Sequence, residues 1–222
     1  FQCGLNFLPL PTSTSFYDAH LNLIIVMMQS IASKFHHKLR QGITRRAIGA
    51  SRDISVGTDL TASKCTFQQA RPWHMDDSKS NLAKDNAITM PTLFPPGKKI
   101  AVFGIPAPFT GTCTTAHYPP YATLADQFKS AGIDSIVCYT VADPYSHYNW
   151  GKSMGNDFEK ISFLADVDGE WAEEYELKRD YTGASLGHRS ERFSMIVEDG
   201  VVKSFNFVED AEKDAETLLG QV

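Results

Sequence analysis

Residues 100–113 of the chain read IAVFGIPAPFTGTC, and this stretch decides the fold. Its first six residues form a continuous apolar run of the length that is typical of a strand buried on both faces of a sheet. A loop with two prolines follows, and Cys113 then opens a helical pattern that extends to Ser130. A buried strand that leads through a short loop into a helix indicates an α/β protein.

The same alternation continues to the C-terminus and identifies the fold class. The pattern predicts strands over 135–141, 162–166, 193–198 and 201–207 and helices over 145–154, 170–177 and 211–219. The last two strands flank Asp199-Gly200, which favours a tight hairpin turn. A parallel strand–helix–strand core that ends in an antiparallel hairpin and a helix is typical of the thioredoxin-like fold. The sequence therefore predicts an α/β protein with a mixed central sheet and helices on both faces.

Two parts of this pattern are less regular. Pro119-Pro120 interrupts the helix predicted over 113–130, and the lost amide donors are expected to kink it there. Residues 64–96 contain several prolines and no clear periodicity, so they are expected to form irregular surface chain with room for one short strand.

The composition excludes several classes of protein. With 42% hydrophobic residues among 222, the chain can bury a sizeable core. Its longest apolar stretch, residues 21–28, is far shorter than the roughly 20 residues of a bilayer-spanning helix, so no membrane span is expected. The four cysteines follow no C-x-x-C spacing, which argues against a disulfide scaffold and a zinc site. This usage is typical of an intracellular protein with one or two working thiols.

The N-terminal segment, residues 1–53, differs in charge from the rest. It holds six of the 21 Lys and Arg residues and two of the 26 Asp and Glu residues, which leaves a net charge of −9 on residues 54–222. A basic, acid-poor segment with apolar residues every four positions predicts a mitochondrial transit peptide. A basic tail that binds nucleic acid or stays disordered is the alternative, although the acidic body argues against nucleic acid. The chain is therefore interpreted as a leader, 1–53, and one domain, 54–222; residues 1–27 could lie upstream of the true start.

Cys113 is the main candidate for chemistry because it stands at the start of a predicted helix. The unpaired amides and the dipole of a helix N-terminus favour a thiolate, which is the nucleophilic form of cysteine. Thr110 precedes it by three residues, so its hydroxyl can reach the thiolate and a bound substrate oxygen. The alternative for a lone cysteine is a small buried hydrophobe. His117 lies one helical turn after Cys113, so the two residues could form a Cys–His dyad for acyl transfer. No acidic partner for His117 can be identified from the sequence.

The stretch around Cys113 also resembles a known family. The spacing P-x-x-x-T-x-x-C from Pro106 to Cys113 resembles the peroxidatic motif of the peroxiredoxins, and residues 104–121 resemble the type II, atypical two-cysteine branch. Three more segments are similar to the plant mitochondrial type II F form, namely residues 132–138 (GIDSIVC), 186–192 (LGHRSER) and 219–222 (LGQV). The resemblance extends over nearly all of residues 55–222.

The resemblance implies a role for each matching residue. Cys113 would be the peroxidatic nucleophile, Thr110 would hydrogen-bond the peroxide, and Pro106 would shield and shape the pocket. Arg192 falls where the family keeps the arginine of its second sequence motif, and it would stabilise the thiolate and orient the peroxide oxygens. A solvated charge at a strand end is the alternative for Arg192. Arg189 is a weaker candidate, expected to be structural or to lie at the rim of the pocket.

The type II resemblance also implies that Cys138 is a resolving cysteine, whose thiol reacts with the oxidised Cys113 to form a disulfide. Cys138 follows Cys113 by 25 residues. Without the family, a cysteine within the apolar strand 135–141 would be interpreted as a core thiol. Helix and strand lengths place the two Cα atoms beyond the roughly 7 Å limit for a disulfide in the reduced protein. Resolution by Cys138 would therefore require local opening around both cysteines.

Taken together, the resemblance implies a thiol-dependent peroxidase that reduces hydrogen peroxide and organic hydroperoxides in antioxidant defence. The nucleophile would become a sulfenic acid and be recycled by glutaredoxin with glutathione or by thioredoxin, without metal, haem, flavin or other cofactor. A homodimer or higher homo-oligomer in the mitochondrial matrix is expected. One alternative is a monothiol oxidoreductase or glutathione-conjugating enzyme of the same fold. Such enzymes characteristically have a proline immediately before the strand that faces the active site. Residues 181–192, which precede the predicted strand 193–198, contain no proline and so disfavour this alternative. A non-catalytic interaction module is another.

Overall fold

The computed structural model describes residues 53–72, 84 and 86–222, all within the unit Ile48–Val222. The predicted leader and start site lie outside the described residues, apart from Asp53. The strands are β1 Thr66–Gln69, β2 Ala87–Thr89, β3 Lys99–Ile105, β4 Ser135–Thr140, β5 Ile161–Ala165, β6 Lys178–Asp180, β7 His188–Ser190, β8 Phe193–Glu198 and β9 Val201–Phe207. The helices are α1 Met90–Leu93, α2 Tyr118–Ser130, α3 Pro144–Ser153, α4 Glu170–Glu174 and α5 Asp214–Leu219. None of the helices in this part of the chain is long and apolar enough to cross a membrane.

A mixed sheet of seven strands, in the order β2-β1-β5-β4-β3-β8-β9, forms the centre of the structure. β3, β4 and β5 run parallel in its middle, where their apolar sequences suit strands that are covered on both faces. β8 pairs antiparallel with β3, and β9 follows through Asp199-Gly200, where both residues have positive φ. The predicted thioredoxin-like architecture is confirmed, and the hairpin has its predicted bounds.

Side chains of the sheet alternate between two buried layers. Tyr139, Trp171 and Phe193 lie in the layer to which α4 contributes. The opposite layer contains residues of α2, α3 and α5 together with both candidate thiols: Cys113, Tyr121, Phe128, Cys138, Trp150 and Leu218. The two thiols therefore share one face of the sheet, beneath the longer helices.

The helix after Cys113 is irregular before its prolines rather than at them. Residues Cys113–His117 form a π-helical turn, in which the amide of Tyr118 donates to the carbonyl of Cys113. α2 then continues without interruption, with both prolines in its first turn. The predicted interruption at Pro119-Pro120 is therefore wrong, and the irregular turn lies at Cys113–His117 instead.

The least regular part of the sequence contributes two strands. Among the described residues of 64–96, β1 pairs with both β5 and β2, and α1 follows directly. The expectation of irregular chain with one short strand is therefore wrong here. Only Phe67 of β1 is buried, so its sequence carries no alternation from which a strand could be predicted. The β6–β7 ribbon was not predicted either. The predicted strands and the helices α3, α4 and α5 lie within three residues of their predicted bounds, whereas α2 begins at Tyr118 rather than at Cys113.

Candidate active site

Cys113 follows the C-terminal end of β3 and begins the π-helical turn. It is almost completely buried, with 1% of its surface exposed. The loop that precedes it starts with the buried residues Pro106 and Ala107 and passes through Phe109, which is exposed and has a φ of 60°. The tip of the loop thus faces solvent, while the thiol at its end lies in the core layer beneath the helices.

Arg192 brings a positive charge directly to the thiol. It stands immediately before β8, and its carbonyl accepts a hydrogen bond from the amide of Val208 beyond β9. Its Nη2 donates to Cys113 Sγ at 3.3 Å. A guanidinium so close to the sulfur can stabilise negative charge there during a reaction, and its other N–H groups can bind a substrate oxygen. The structure thus joins the two residues for which the resemblance implied a shared role.

A cleft of about 410 Å³ leads from solvent to Arg192. Its walls come from the loop after β3, the residues around β6 and β7, and the chain at the end of β9: Pro106, Arg179, Tyr181, Glu191, Arg192, Phe207, Val208 and Glu209. Arg179 and Glu191 form an ion pair within the wall. The cleft therefore gives a small molecule access to the guanidinium, and Pro106 is part of its lining.

Thr110 supports the loop in this geometry. Its hydroxyl donates to the carbonyl of Ala107 at 2.9 Å, and its own carbonyl accepts from the amide of Thr114. Among the hydrogen bonds of the described residues, none joins Thr110 to Cys113. Because the hydroxyl proton is engaged, the oxygen is left with lone pairs that can accept a hydrogen bond from a ligand.

His117 is fully buried and contacts Arg192. Arg192 Nη1 donates to His117 Nδ1 at 2.9 Å, and His117 Nε2 lies 2.8 Å from Asp214 Oδ2. Burial lowers the pKa of His117, an effect that Asp214 opposes and the charge of Arg192 reinforces. Within the described part of the chain His117 makes no hydrogen bond to the thiol, so the geometry gives no support to a Cys–His dyad.

Asp214, the first residue of α5, is a buried carboxylate that faces three donors. Tyr121 donates its hydroxyl to Oδ2 at 2.5 Å, and Ser194 donates to Oδ1 at 2.7 Å. His117 is the third partner. The sequence alone identified no acid partner for His117, and the structure provides one in Asp214.

Sequence reasoning missed Asp214 because 97 residues separate it from His117. One signal was present in the predicted helix over 211–219. Asp214 stands three residues after Ala211 and four before Leu218, so it shares their apolar face. An aspartate on such a face is rarely buried without partners, and it would have indicated a buried network.

Cys138 is fully buried on β4, opposite Phe103 of β3. Burial raises the pKa of its thiol well above the usual range, and the charge of Cys113 raises it further. Both cysteines are free thiols in this structure. In this state Cys138 is therefore a protonated core thiol, and any resolving role requires the strand to open.

Two other candidates have structural partners. Arg189 donates from Nε to the carbonyl of Leu186 at 2.9 Å and from Nη1 to the carbonyl of Val141, so it ties β7 to the chain after β4. Cys65 donates to Glu174, and burial raises the pKa of its thiol to about 11, which disfavours the nucleophilic thiolate at neutral pH. Among residues 53–72, 84 and 86–222, no group of three or more His, Cys, Asp or Glu side chains is arranged to hold a metal ion.

The chain is similar to known proteins over most of its length. Residues 75–219 match the Redoxin family. The chain is 37% identical to Peroxiredoxin-2F, mitochondrial, of Arabidopsis thaliana, with 82% of this chain and 90% of that protein covered. The corresponding protein of Oryza sativa subsp. japonica is 34% identical, with 76% and 85% covered. Among solved structures, reduced Prx3 from Vibrio vulnificus in complex with hydrogen peroxide has a TM-score of 0.63 at 32% identity and covers 76% of this chain and 99% of its own.

Proposed function

The chain belongs to the peroxiredoxin family of thiol peroxidases, and on this basis we propose that Cys113 reduces hydrogen peroxide and organic hydroperoxides. The observation that carries the proposal is the 3.3 Å hydrogen bond from Arg192 Nη2 to Cys113 Sγ. It supplies a cation for the thiolate and, through the cleft that Arg192 lines, a binding group for a peroxide oxygen.

In the first step the Cys113 thiolate attacks one peroxide oxygen in line with the O–O bond. The S–O bond forms as the O–O bond breaks, so the cysteine is oxidised to a sulfenic acid. The other oxygen takes up a proton and leaves as water or as an alcohol. Arg192 stabilises the charge as it moves from sulfur to the departing oxygen. Thr110, whose hydroxyl already donates to Ala107, accepts the hydrogen bond of the peroxide O–H group.

In the second step a thiol attacks the sulfur of the sulfenic acid. A disulfide bond forms between the two sulfur atoms, and water is released. Cys138 would be the internal thiol, although its burial and raised pKa require the strand to open and the thiol to lose its proton first. The external alternative is glutathione, in which case glutaredoxin completes the reduction. A disulfide between Cys113 and Cys138 would instead be reduced by thioredoxin.

The location and assembly belong to the same proposal. The relatives named Peroxiredoxin-2F are mitochondrial, and residues 1–53 have the charge pattern of a transit peptide, which together support the mitochondrial matrix. A homodimer or a higher homo-oligomer is the proposed assembly. Reduction of peroxides there would serve antioxidant defence and redox homeostasis.

Stopped-flow mixing of the reduced protein with hydrogen peroxide tests the proposal. Trp150 provides the signal, because its Nε1 donates to Thr114 Oγ1 at 3.1 Å, next to Cys113. We expect a fast fluorescence change whose rate is proportional to the peroxide concentration. Cys113→Ser should abolish it and Cys65→Ser should leave it intact. An unchanged trace for Cys113→Ser would refute the role of this cysteine.

A further inference from the structure

A continuous line of hydrogen bonds runs from Cys113 into the core. Arg192 donates from Nη2 to Cys113 Sγ at 3.3 Å and from Nη1 to His117 Nδ1 at 2.9 Å. His117 Nε2 lies 2.8 Å from Asp214 Oδ2, which also accepts the hydroxyl of Tyr121. The reaction steps above use neither His117 nor Asp214.

The hydrogen bonds fix which nitrogen of His117 carries the proton. A guanidinium has five N–H donors and no acceptor, so His117 Nδ1 has to accept the bond from Arg192. The proton of a neutral imidazole then resides on Nε2, which donates it to Asp214. Burial favours this neutral ring because it lowers the pKa of His117. The structure therefore defines one tautomer.

Three side chains form hydrogen bonds with the carboxyl group of Asp214. Only 3% of its surface is exposed, and it faces His117, Tyr121 and Ser194. Burial and the charge of Asp214 raise the pKa of Tyr121 well above its usual range, so Tyr121 remains a donor. A carboxylate that accepts from three sides holds the His117 ring in one orientation.

We propose that His117 and Asp214 are positioning residues that hold the Arg192 guanidinium against Cys113 Sγ. The guanidinium is planar and rigid, so a bond that fixes Nη1 also fixes the plane in which Nη2 reaches the sulfur. His117 supplies the acceptor for Nη1, and Asp214 holds His117 in the tautomer and orientation that can accept. The inference deepens the proposed function and rests on it.

Three substitutions of His117 separate its two hydrogen bonds. His117→Asn places an amide oxygen near the position of Nδ1 and so keeps an acceptor for Arg192. His117→Gln places an amide nitrogen near the position of Nε2 and so keeps a donor for Asp214. His117→Leu keeps neither. Ile136→Ala, in the same core layer, is the control for lost packing.

The second-order rate constant of Cys113 with hydrogen peroxide is measured for each protein beside its melting temperature. We expect His117→Leu and His117→Gln to slow the reaction about tenfold to a hundredfold, since a misplacement of about 1 Å can cost that much. His117→Asn should retain most of the rate, and Ile136→Ala should lower the melting temperature without slowing the reaction. Rates that follow melting temperature across all four variants, with no advantage for His117→Asn, would overturn the proposal.

Nitrogen NMR of the ¹⁵N-histidine-labelled reduced protein reads the tautomer without any reaction. The His117→Asn variant assigns the signal among the seven histidines of the chain. We expect a bonded proton on His117 Nε2 and none on Nδ1 at neutral pH, whereas a proton on Nδ1 would contradict the proposal. If the spectrum shows the expected tautomer but the protein does not react with peroxide, the proposed function is refuted. His117 then has no effect on a reaction rate, although its tautomer is the one expected.

Discussion

Arg192 Nη2 lies 3.3 Å from Cys113 Sγ although 79 residues separate the two in the chain. Cys113 follows the C-terminal end of β3, and Arg192 precedes the first residue of β8. These strands pair antiparallel, with Gly104 opposite Phe193, so the end of one meets the start of the other at one edge of the sheet. The topology of the sheet, rather than a local motif, therefore assembles the site.

Replacement of Arg192 tests this relationship directly. Arg192→Met removes the cation beside the sulfur, so we expect slower alkylation of Cys113 by iodoacetamide at neutral pH and peroxide reduction slower by about a hundredfold or more. Arg179→Met is the matched control, because it removes an arginine that is paired with Glu191 instead of the thiol. It should leave the rate of Cys113 alkylation unchanged. An alkylation rate at neutral pH that is the same in Arg192→Met and the wild type would contradict the role of Arg192.

The role of Cys138 is tested by the products of oxidation. Peroxide treatment of the wild type should give an intramolecular Cys113–Cys138 disulfide, which migrates in the monomer band of a non-reducing gel. Cys138→Ser should keep the first turnover, slow recycling by thioredoxin, and accumulate sulfenic or sulfinic acid on Cys113. Cys65→Ser is the control and should form the disulfide normally. If Cys138→Ser recycles at the wild-type rate with every reductant, Cys138 is a core thiol and an external thiol resolves the enzyme.

A second histidine makes the fold sensitive to acid. His147 is fully buried against Phe163, with ring centroids 4.6 Å apart, and burial lowers its pKa from 6.5 to about 3. Between these values the unfolded chain binds a proton that the folded protein excludes, so stability falls as the pH decreases from 6.5 toward 3. The loss is on the order of 4 kcal/mol, since one pKa unit corresponds to about 1.4 kcal/mol.

Urea unfolding at a series of pH values measures this effect. His147→Phe keeps an aromatic ring but cannot titrate, so its free energy of unfolding should fall less than that of the wild type between pH 6.5 and 3. Parallel curves for the two proteins over that range would exclude His147 as a source of acid sensitivity.

The predicted leader is tested in cells. Residues 28–53 fused to a reporter should direct it to mitochondria, because the segment is basic and amphipathic. Replacement of Arg40, Arg45 and Arg46 by Glu should abolish import. Retention of the unaltered fusion in the cytosol would contradict the proposed location.

The central strands and the hairpin could be predicted because each has a strong local signal. β3 and β4 are continuous apolar runs, as strands covered on both faces must be, and Asp199-Gly200 supplies the positive φ values of a tight turn. Cys113 and Arg192 could be assigned a shared role because the resemblance covers both segments. Their contact itself is a product of the β3–β8 pairing.

The parts that could not be predicted depend on distant partners. β1 buries only Phe67, and it is a strand because β5 and β2 pair with it. The π-helical turn Cys113–His117 lies before the two prolines, whereas the sequence placed the irregularity of the helix at the prolines themselves. Asp214 and His117 meet only because α5 packs beside α2. The helical spacing of Asp214 indicates that its carboxyl is buried, but nothing within one sequence indicates that His117 is its partner.

The most direct test is to add one equivalent of hydrogen peroxide to the reduced Cys65→Ser, Cys138→Ser protein and to locate the oxidised residue by peptide mass spectrometry after dimedone trapping. The account predicts that the peroxide is consumed far faster than by free cysteine and that the dimedone adduct is on Cys113. The same preparation with Arg192→Met should form the adduct much more slowly. Consumption no faster than by free cysteine, or an adduct on another residue, would contradict the assignment of Cys113 as the peroxidatic nucleophile.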